Sequence, residues 1–117
     1  MHHYNKIFFF FNKIGLVASF KVSEFVEKPN ESNAQSYIKQ GNYLWNSGMF
    51  IARPSVLIAE AELYCAQLLH YCRLTVKSAT KDLDFIRLSE YEFSQCEDIS
   101  LDYAIMEHTQ KAVVVPV

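Results

Sequence analysis

The stretch FVEKPNESNAQSYIKQGNYLWNSGMF, Phe25–Phe50, decides the fold because it changes from an extended to a helical pattern and back again. It opens on the end of an apolar strand that begins near Phe20, and Pro29 stops that strand. Since the residue before a proline is biased toward extended geometry, Lys28 is predicted to be extended and the sheet to stop there.

A short helix is predicted to follow the proline. Ser32 and Gln35 have the spacing of a capping box, and Gly41 is the residue type that most often ends a helix. We therefore expect a helix over Asn33–Gln40. The segment NYLWNSGMFIA then returns to strand composition, with a break at Asn46–Gly48 that is typical of a bulge or of a place where a ligand approaches the backbone.

Strand patterns lie at both ends of the chain. Aromatic and β-branched residues over Ile7–Val26 predict strands joined by a turn at Asn12–Gly15, and KAVVVPV at the C-terminus also has strand composition. The apolar run IFFFFNKIGLVASF is interrupted at Asn12 and Lys13 and falls short of the roughly 20 residues of a membrane helix. We therefore predict buried strands here and no membrane span.

Helical patterns occupy much of the remainder. Pro54 is well placed to begin a longer helix, and its apolar stripe consists of Leu57, Ala61, Tyr64, Leu68 and Tyr71. A polar connection over 77–82 and an irregular or weakly helical stretch through Phe93 follow. Ser100 is then the expected N-cap of a last helix, with Asp102 in its first turn. Strands alternating with helices predict an α/β fold.

Charge and cysteine content exclude several functions. The 117 residues carry 11 Lys and Arg against 13 Asp and Glu, a formal charge of −2 without a dense basic cluster, so nucleic acid is not an expected partner. Cys65, Cys72 and Cys96 lack the spacing of a zinc or thioredoxin-type motif. Cys65 and Cys72 are predicted to be small buried thiols on one helical face, which suits a reducing cytoplasm.

Two neighbouring charges after the first strand could bind a sugar phosphate. The Glu27 carboxylate can accept hydrogen bonds from adjacent sugar hydroxyls, and the Lys28 ammonium can neutralise a phosphate. Adjacent side chains in a strand point to opposite faces, so both reach one ligand only at a strand end or a bend, and Pro29 favours such an end. The alternative is an ordinary solvated exit from a strand.

Three further residues are candidates for the same site, each with a structural alternative. Asn46 offers a donor and an acceptor, and Gly48 allows a ligand near the main chain; the alternative is a bulge whose Asn side chain bonds to local backbone. Asp102 could bind a ligand hydroxyl or help hold a cation, although the helix dipole alone explains an acid in a first turn.

The combined motifs resemble one family. The segments FKVSEFVEKPN, YLWNSGMF, DLDFIRLSEYEFSQCEDISLDYAIMEHT and AVVVPV, in this order and spacing, are similar to mannose-1-phosphate guanylyltransferases, including bacterial forms fused to a mannose-6-phosphate isomerase domain. The resemblance covers residues 20–117 as an incomplete, sugar-phosphate-binding portion of the domain, and residues 1–19 form an atypical N-terminal segment.

The resemblance implies the C-terminal part of a Rossmann-like nucleotidyltransferase domain, with a mixed sheet and flanking helices. It implies that Glu27 and Asn46 bind mannose hydroxyls, that Lys28 binds the phosphate of mannose 1-phosphate, and that Gly48 shapes the pocket wall. Asp102, with Tyr103 beside it, matches the family's Asp-Tyr-Ala segment. The complete family enzyme uses GTP and Mg²⁺ to make GDP-mannose for polysaccharide biosynthesis.

The sequence departs from the family at the nucleotide. It has no counterpart of the glycine-rich loop, or of the aspartates that bind the metal, so neither GTP nor Mg²⁺ is expected to bind tightly and the chain is expected to be inactive alone. Two alternatives stay open: a non-catalytic module that assembles as an oligomer or with a complementary fragment, and a nucleotidyltransferase fragment for another sugar 1-phosphate.

Overall fold

The structure, a computed structural model, describes residues 6–10 and 19–116. The chain divides into two compact units. The first combines the described residues up to Ile51 with those from Leu101 onward, and the second is Ala52–Ser100. The turn predicted at Asn12–Gly15 lies outside the described residues.

The first unit is built on a sheet whose strands are β1 (Lys6–Phe10), β2 (Phe20–Val26), β3 (Tyr43–Trp45) and β6 (Val113–Val114). Their order is β3-β1-β2-β6, and neighbouring strands run antiparallel. The strands predicted at both ends of the chain are confirmed where the structure describes them. Strand β3 stops at Trp45, so the strand composition expected beyond the Asn46–Gly48 break does not form a strand.

A bulge in β2 determines which of its side chains enter the core. Phe8 pairs with Glu24 and Phe9 with Val22, so Ser23 is an extra residue on β2. In an unbroken strand, residues three apart face opposite sides. Because Ser23 interrupts the alternation, Val22 and Phe25 are both buried, 8% and 6% exposed, in one apolar cluster. Partly buried side chains from β3 and from the C-terminal part of this unit pack against that cluster: Leu44, Met106, Ala112 and Val114.

Helix α1 (Glu31–Gln40) joins β2 to β3, and it begins two residues earlier than predicted. Its N-cap is Asn30, whose side-chain oxygen accepts a hydrogen bond from the Asn33 N–H at 2.8 Å, so the Ser32 capping box is wrong. Asn and Ser are comparable cap residues, and Asn30 already occupies the extended position directly after the proline. The predicted exit is confirmed, since Gly41 caps the C-terminus with a φ of 72°.

The cap assignment makes a paired prediction. Asn30→Ala removes the acceptor of the first turn and is expected to cost about 1 kcal/mol of stability. Ser32→Ala, two residues further along the same exposed turn, is expected to cost no more than a few tenths. Urea unfolding followed by circular dichroism measures the stability of both variants. A larger loss of stability in the Ser32→Ala variant would show that Ser32, and not Asn30, caps the helix.

The segment expected to form the last helix is a π-helix over Asp102–Met106. The Glu107 N–H donates to the Asp102 carbonyl oxygen, five residues back, at 3.0 Å. The position before this helix is Leu101, which makes no side-chain cap hydrogen bond, so Ser100 is not the N-cap that was predicted. The π-helix is held in place by its apolar side, where Ala104 and Ile105 are buried.

The second unit contains three helices and a hairpin. They are α2 (Pro54–Tyr64), α3 (Ala66–Lys77), β4 (Thr80–Asp82), β5 (Phe85–Arg87) and α4 (Glu90–Phe93). Pro54 begins α2 as predicted, but the single stripe through Tyr71 is wrong because Cys65, with φ −145° and ψ 51°, separates two helices. None of the described helices is both long enough and apolar enough to cross a bilayer.

The β4–β5 hairpin was not predicted. Its turn places Leu83 at a φ of 52°, a conformation that non-glycine residues seldom adopt. The segment has no Asn-Gly or Asp-Gly pair, the usual sequence mark of a tight hairpin. A polar connection and an irregular stretch were therefore expected where two short strands form.

Candidate functional site

The five residues proposed from the sequence, Glu27, Lys28, Asn46, Gly48 and Asp102, all belong to the first unit. They lie on three segments that follow or face the ends of strands: the exit of β2, the exit of β3 and the start of the π-helix. These segments are far apart along the chain, so their contacts depend on tertiary structure.

Glu27 and Lys28 follow β2 immediately. The side chain of Glu27 is 3% exposed and that of Lys28 is 47% exposed, and their Oε1 and Nζ atoms are 3.4 Å apart. The glutamate is therefore not the solvated surface group of the alternative interpretation. A carboxylate this deeply covered is stable only with hydrogen-bonding or charged partners, and the ammonium beside it is one of them.

The backbone of Lys28 brings the two charged groups together. Its φ is 49°, in the left-handed region, so the prediction of an extended Lys28 is wrong. Pro29 restricts this residue mainly by excluding right-handed helical geometry, which leaves the left-handed region available. The turn breaks the alternation of adjacent side chains, and the ammonium then lies 5.3 Å from the ring centroid of Tyr103.

Asn46 connects the exit of β3 to the π-helix. Its Oδ1 atom accepts a hydrogen bond from the Gly48 N–H at 2.9 Å, and its Nδ2 group donates to Asp102 Oδ1 at 3.3 Å. The first bond is the contact with local backbone that was expected if Asn46 only stabilises a bulge. The second is a contact between two candidate site residues that are 56 positions apart in the sequence.

Gly48 is required for its backbone conformation. Its φ is 74°, and a Cβ atom placed on it would have no heavy atom within 4 Å. The position is therefore open to the surroundings, and a side chain is disfavoured by the left-handed geometry and not by a steric contact.

Gly48→Ala tests this interpretation. The substitution is expected to lower the free energy of unfolding by about 1 kcal/mol, since left-handed geometry disfavours a Cβ atom. Gly48→Asn is expected to cost less, because asparagine tolerates this region. Chemical unfolding of the two variants distinguishes them, and equal losses would show that the conformation is not the reason for the glycine.

The Asp102–Tyr103 pair is the centre of the arrangement. Asp102 accepts from Asn46 on one side, and the Tyr103 ring contacts the Lys28 ammonium on the other. Glu107, at the other end of the π-helix, accepts a hydrogen bond from the Glu27 N–H at 3.2 Å. The structure thus links all the candidate segments through one helix of a type that is frequent at functional sites.

Glu107 was not among the site residues proposed from the sequence. Its contact with the Glu27 backbone depends on the five-residue hydrogen-bonding step of the π-helix, which leaves Glu107 directly after the helix. An ordinary α-helical pattern gives no indication of that step.

Potential metal ligands are dispersed among the described residues. Within residues 6–10 and 19–116, no three or more His, Cys, Asp or Glu side chains are grouped so that they could hold a metal ion. The acid at the centre of the site, Asp102, is instead hydrogen-bonded to an amide. No step through a metal is assigned to these residues.

Comparison with known proteins defines the class. The sequence profile of the nucleotidyl transferase family matches residues 11–92, and the chain belongs to this family. Among its relatives, the chain is 51% identical over 98 residues to the mannose-1-phosphate guanylyltransferase of Salmonella montevideo, a match that covers 84% of this chain and 21% of that protein. The chain thus spans about a fifth of the length of the curated relatives it matches.

Two solved structures are similar to this chain. A structure described as mannose-6-phosphate isomerase from Helicobacter pylori has a TM-score of 0.83 and 28% identity, covering 96% of this chain and 43% of that one. A structure described as mannose-1-phosphate geranyltransferase from Thermus thermophilus has a TM-score of 0.77 and 26% identity, covering 96% of this chain and 30% of that one. The α/β fold expected from the family resemblance is confirmed.

Proposed function

We propose that this chain forms the part of a mannose-1-phosphate guanylyltransferase that holds the sugar phosphate. The observation that carries the proposal is the Asp102–Tyr103 pair, which contacts Asn46 through its carboxylate and the Lys28 ammonium through its ring. An acid, an amine and an amide from three separate segments therefore meet around one short helix. Such a set can recognise both a phosphate and several hydroxyls of one small ligand.

Each group has a distinct task in the proposal. The half-exposed ammonium of Lys28 receives the phosphate of mannose 1-phosphate, and the covered carboxylate of Glu27 accepts hydrogen bonds from sugar hydroxyls. One Nδ2 hydrogen of Asn46 is used by Asp102, which leaves the second to donate to a further hydroxyl. Gly48 forms the wall of the pocket through its open, left-handed backbone.

Binding of mannose 1-phosphate tests the proposal. Titration calorimetry of the purified chain is expected to give saturable heat, and Glu27→Gln is expected to weaken the affinity about tenfold or more because a charged acceptor is lost. Glu24→Gln is the matched control, since Glu24 is an exposed acid on β2, three residues before Glu27. No heat from a folded sample, or an equal loss in both variants, would contradict the proposal.

Two comparison ligands show how much of the affinity depends on the sugar and how much on the phosphate. Glucose 1-phosphate and inorganic phosphate are titrated in the same way. Equal affinity for glucose 1-phosphate would favour a nucleotidyltransferase for another sugar, since the two ligands differ in the stereochemistry of a single hydroxyl. If inorganic phosphate bound as tightly as mannose 1-phosphate, the site would recognise the phosphate and not the sugar.

We also infer that the 117 residues alone do not make GDP-mannose. Transfer of the GMP group from GTP requires positioning and neutralisation of the triphosphate, and the sequence has no glycine-rich loop with its Arg and Lys to supply them. Incubation with GTP, mannose 1-phosphate and Mg²⁺ should release no more pyrophosphate than a Glu27→Ala control. Release well above that control would refute the inference without affecting the binding proposal.

An assembly module is the second candidate function. Large apolar side chains are exposed in both units, among them Met49 and Ile51 in the first and Leu83, Ile86 and Tyr91 in the second. Light scattering distinguishes the two functions. An oligomer that does not bind mannose 1-phosphate favours assembly, whereas a stable monomer that binds it favours the sugar-phosphate site.

A further inference from the structure

The second unit contains two thiols that face one groove. Cys72 lies on α3 and Cys96 follows α4, and both line an open groove of about 380 Å³ together with the apolar residues Leu68, Phe93 and Ile99. Cys72 is exposed and Cys96 is partly buried, and all three cysteines of the chain are free. The prediction of a buried Cys72 is therefore wrong.

Cys72 and Cys96 are the two cysteines that line this groove, and Cys65 does not. Burial raises the pKa of the Cys96 thiol, and the neighbouring Cys72 raises it further. Cys65 is seven residues before Cys72, about 10 Å along a helix, and this separation exceeds the Cα distance of a disulfide. Cys72 and Cys96 are thus the pair whose thiols share one groove.

We propose that Cys72 and Cys96 form a reversible intramolecular disulfide by exchange with a low-molecular-weight disulfide such as oxidised glutathione. The exposed Cys72 thiolate attacks one sulfur of glutathione disulfide and releases one glutathione thiolate. The Cys96 thiolate then attacks the Cys72 sulfur of the mixed disulfide and releases the second glutathione. Two protein thiols are oxidised, one glutathione disulfide is reduced to two thiols, and the two cysteine protons pass to them.

The bond would connect α3 to the segment after α4. Both ends of the connected loop lie in the second unit, so the crosslink constrains this unit directly. It would also replace two thiols of the groove wall by one bridge, which changes the groove, and none of the residues proposed for the sugar-phosphate site lines that groove. The inference therefore does not depend on the proposed function.

Mass spectrometry of the full chain tests the proposal. After incubation with oxidised glutathione, the intact mass is expected to fall by two hydrogens, and digestion without reductant should yield a peptide containing Cys96 linked to one containing Cys72. The same peptide carries Cys65, because trypsin has no site from Pro54 to Cys72. Variants are therefore needed to identify the bonded sulfur.

Matched serine variants identify the pair. Cys65→Ser is expected to keep the link to the Cys96 peptide, and Cys72→Ser is expected to abolish it, with circular dichroism confirming that both variants fold. A link that survives Cys72→Ser, a stable glutathione adduct without ring closure, or a disulfide-linked dimer would each overturn the proposal. In the linked form, the midpoint of thermal unfolding should rise by roughly 5 °C or more and return to its original value with dithiothreitol.

Discussion

Lys28→Met should weaken the binding of mannose 1-phosphate by about ten- to a hundredfold while the chain stays folded. The substitution removes the ammonium that faces the phosphate in the proposed site, and a charge-assisted hydrogen bond contributes about 1.5–3 kcal/mol. Methionine keeps an unbranched apolar stem, and the lysine side chain is 47% exposed, so packing changes little. Titration calorimetry with mannose 1-phosphate measures the effect.

Lys21→Met is the matched control for this substitution. Lys21 is exposed and lies near the start of β2, whereas Lys28 follows its end. The control variant is expected to bind mannose 1-phosphate with unchanged affinity. If both variants lost affinity equally, general charge would explain the binding; if neither did, Lys28 would have no place in the site.

Phe25→Ala should lower the free energy of unfolding of the chain by about 3–5 kcal/mol, a large part of the roughly 5–15 kcal/mol typical of a small domain. Phe25 is 6% exposed and forms a buried apolar cluster of the first unit with Val22. Removing its ring deletes apolar burial and leaves a cavity between β2 and the residues packed against it. Urea unfolding followed by circular dichroism measures the loss.

Phe50→Ala provides the control with the same change of side chain. Phe50 also belongs to the first unit but is 37% exposed and lies outside the strands. Its replacement is expected to cost less than half as much as that of Phe25. Similar losses at the two positions would show that the apolar cluster around β2 is not the core of this unit.

Local residue preferences predicted the ends of regular structure better than its type. Gly41 acts on the backbone directly, so the end of α1 follows from the sequence, whereas β2 ends at Val26, before the Lys28 position that Pro29 predicted. The N-cap was misplaced because Asn30 and Ser32 are both good caps and their choice depends on where the chain leaves the sheet.

Three features could not be predicted because no special residue marks them. Cys65 breaks a helix without a glycine or proline, and Leu83 turns a hairpin at a positive φ. The π-helix over Asp102–Met106 has a composition that suits an α-helix equally well. Packing against the rest of each unit, and not local preference, decides these conformations.

The site residues were chosen from the sequence, but their contacts were not. Glu27 and Lys28 are neighbours, and chemistry alone suggested a shared ligand. The hydrogen bond between Asn46 and Asp102, the contact between Lys28 and Tyr103 and the bond from the Glu27 N–H to Glu107 all join distant segments. They require tertiary structure, and binding of a sugar phosphate to them stays a prediction.

The extra residue Ser23 determines which side of the sheet each later residue of β2 faces. With Ser23 in place, Val22 and Phe25 share one side of the sheet, and the chain reaches Glu27 in the orientation that covers its carboxylate. Deleting Ser23 would turn the side chains after it to the opposite side of the sheet. Val22 and Phe25 would then face opposite sides, so that burying Phe25 would expose Val22. Ser23, which lies outside the proposed site, thus determines the orientation of both the core residues and the proposed site residues that follow it.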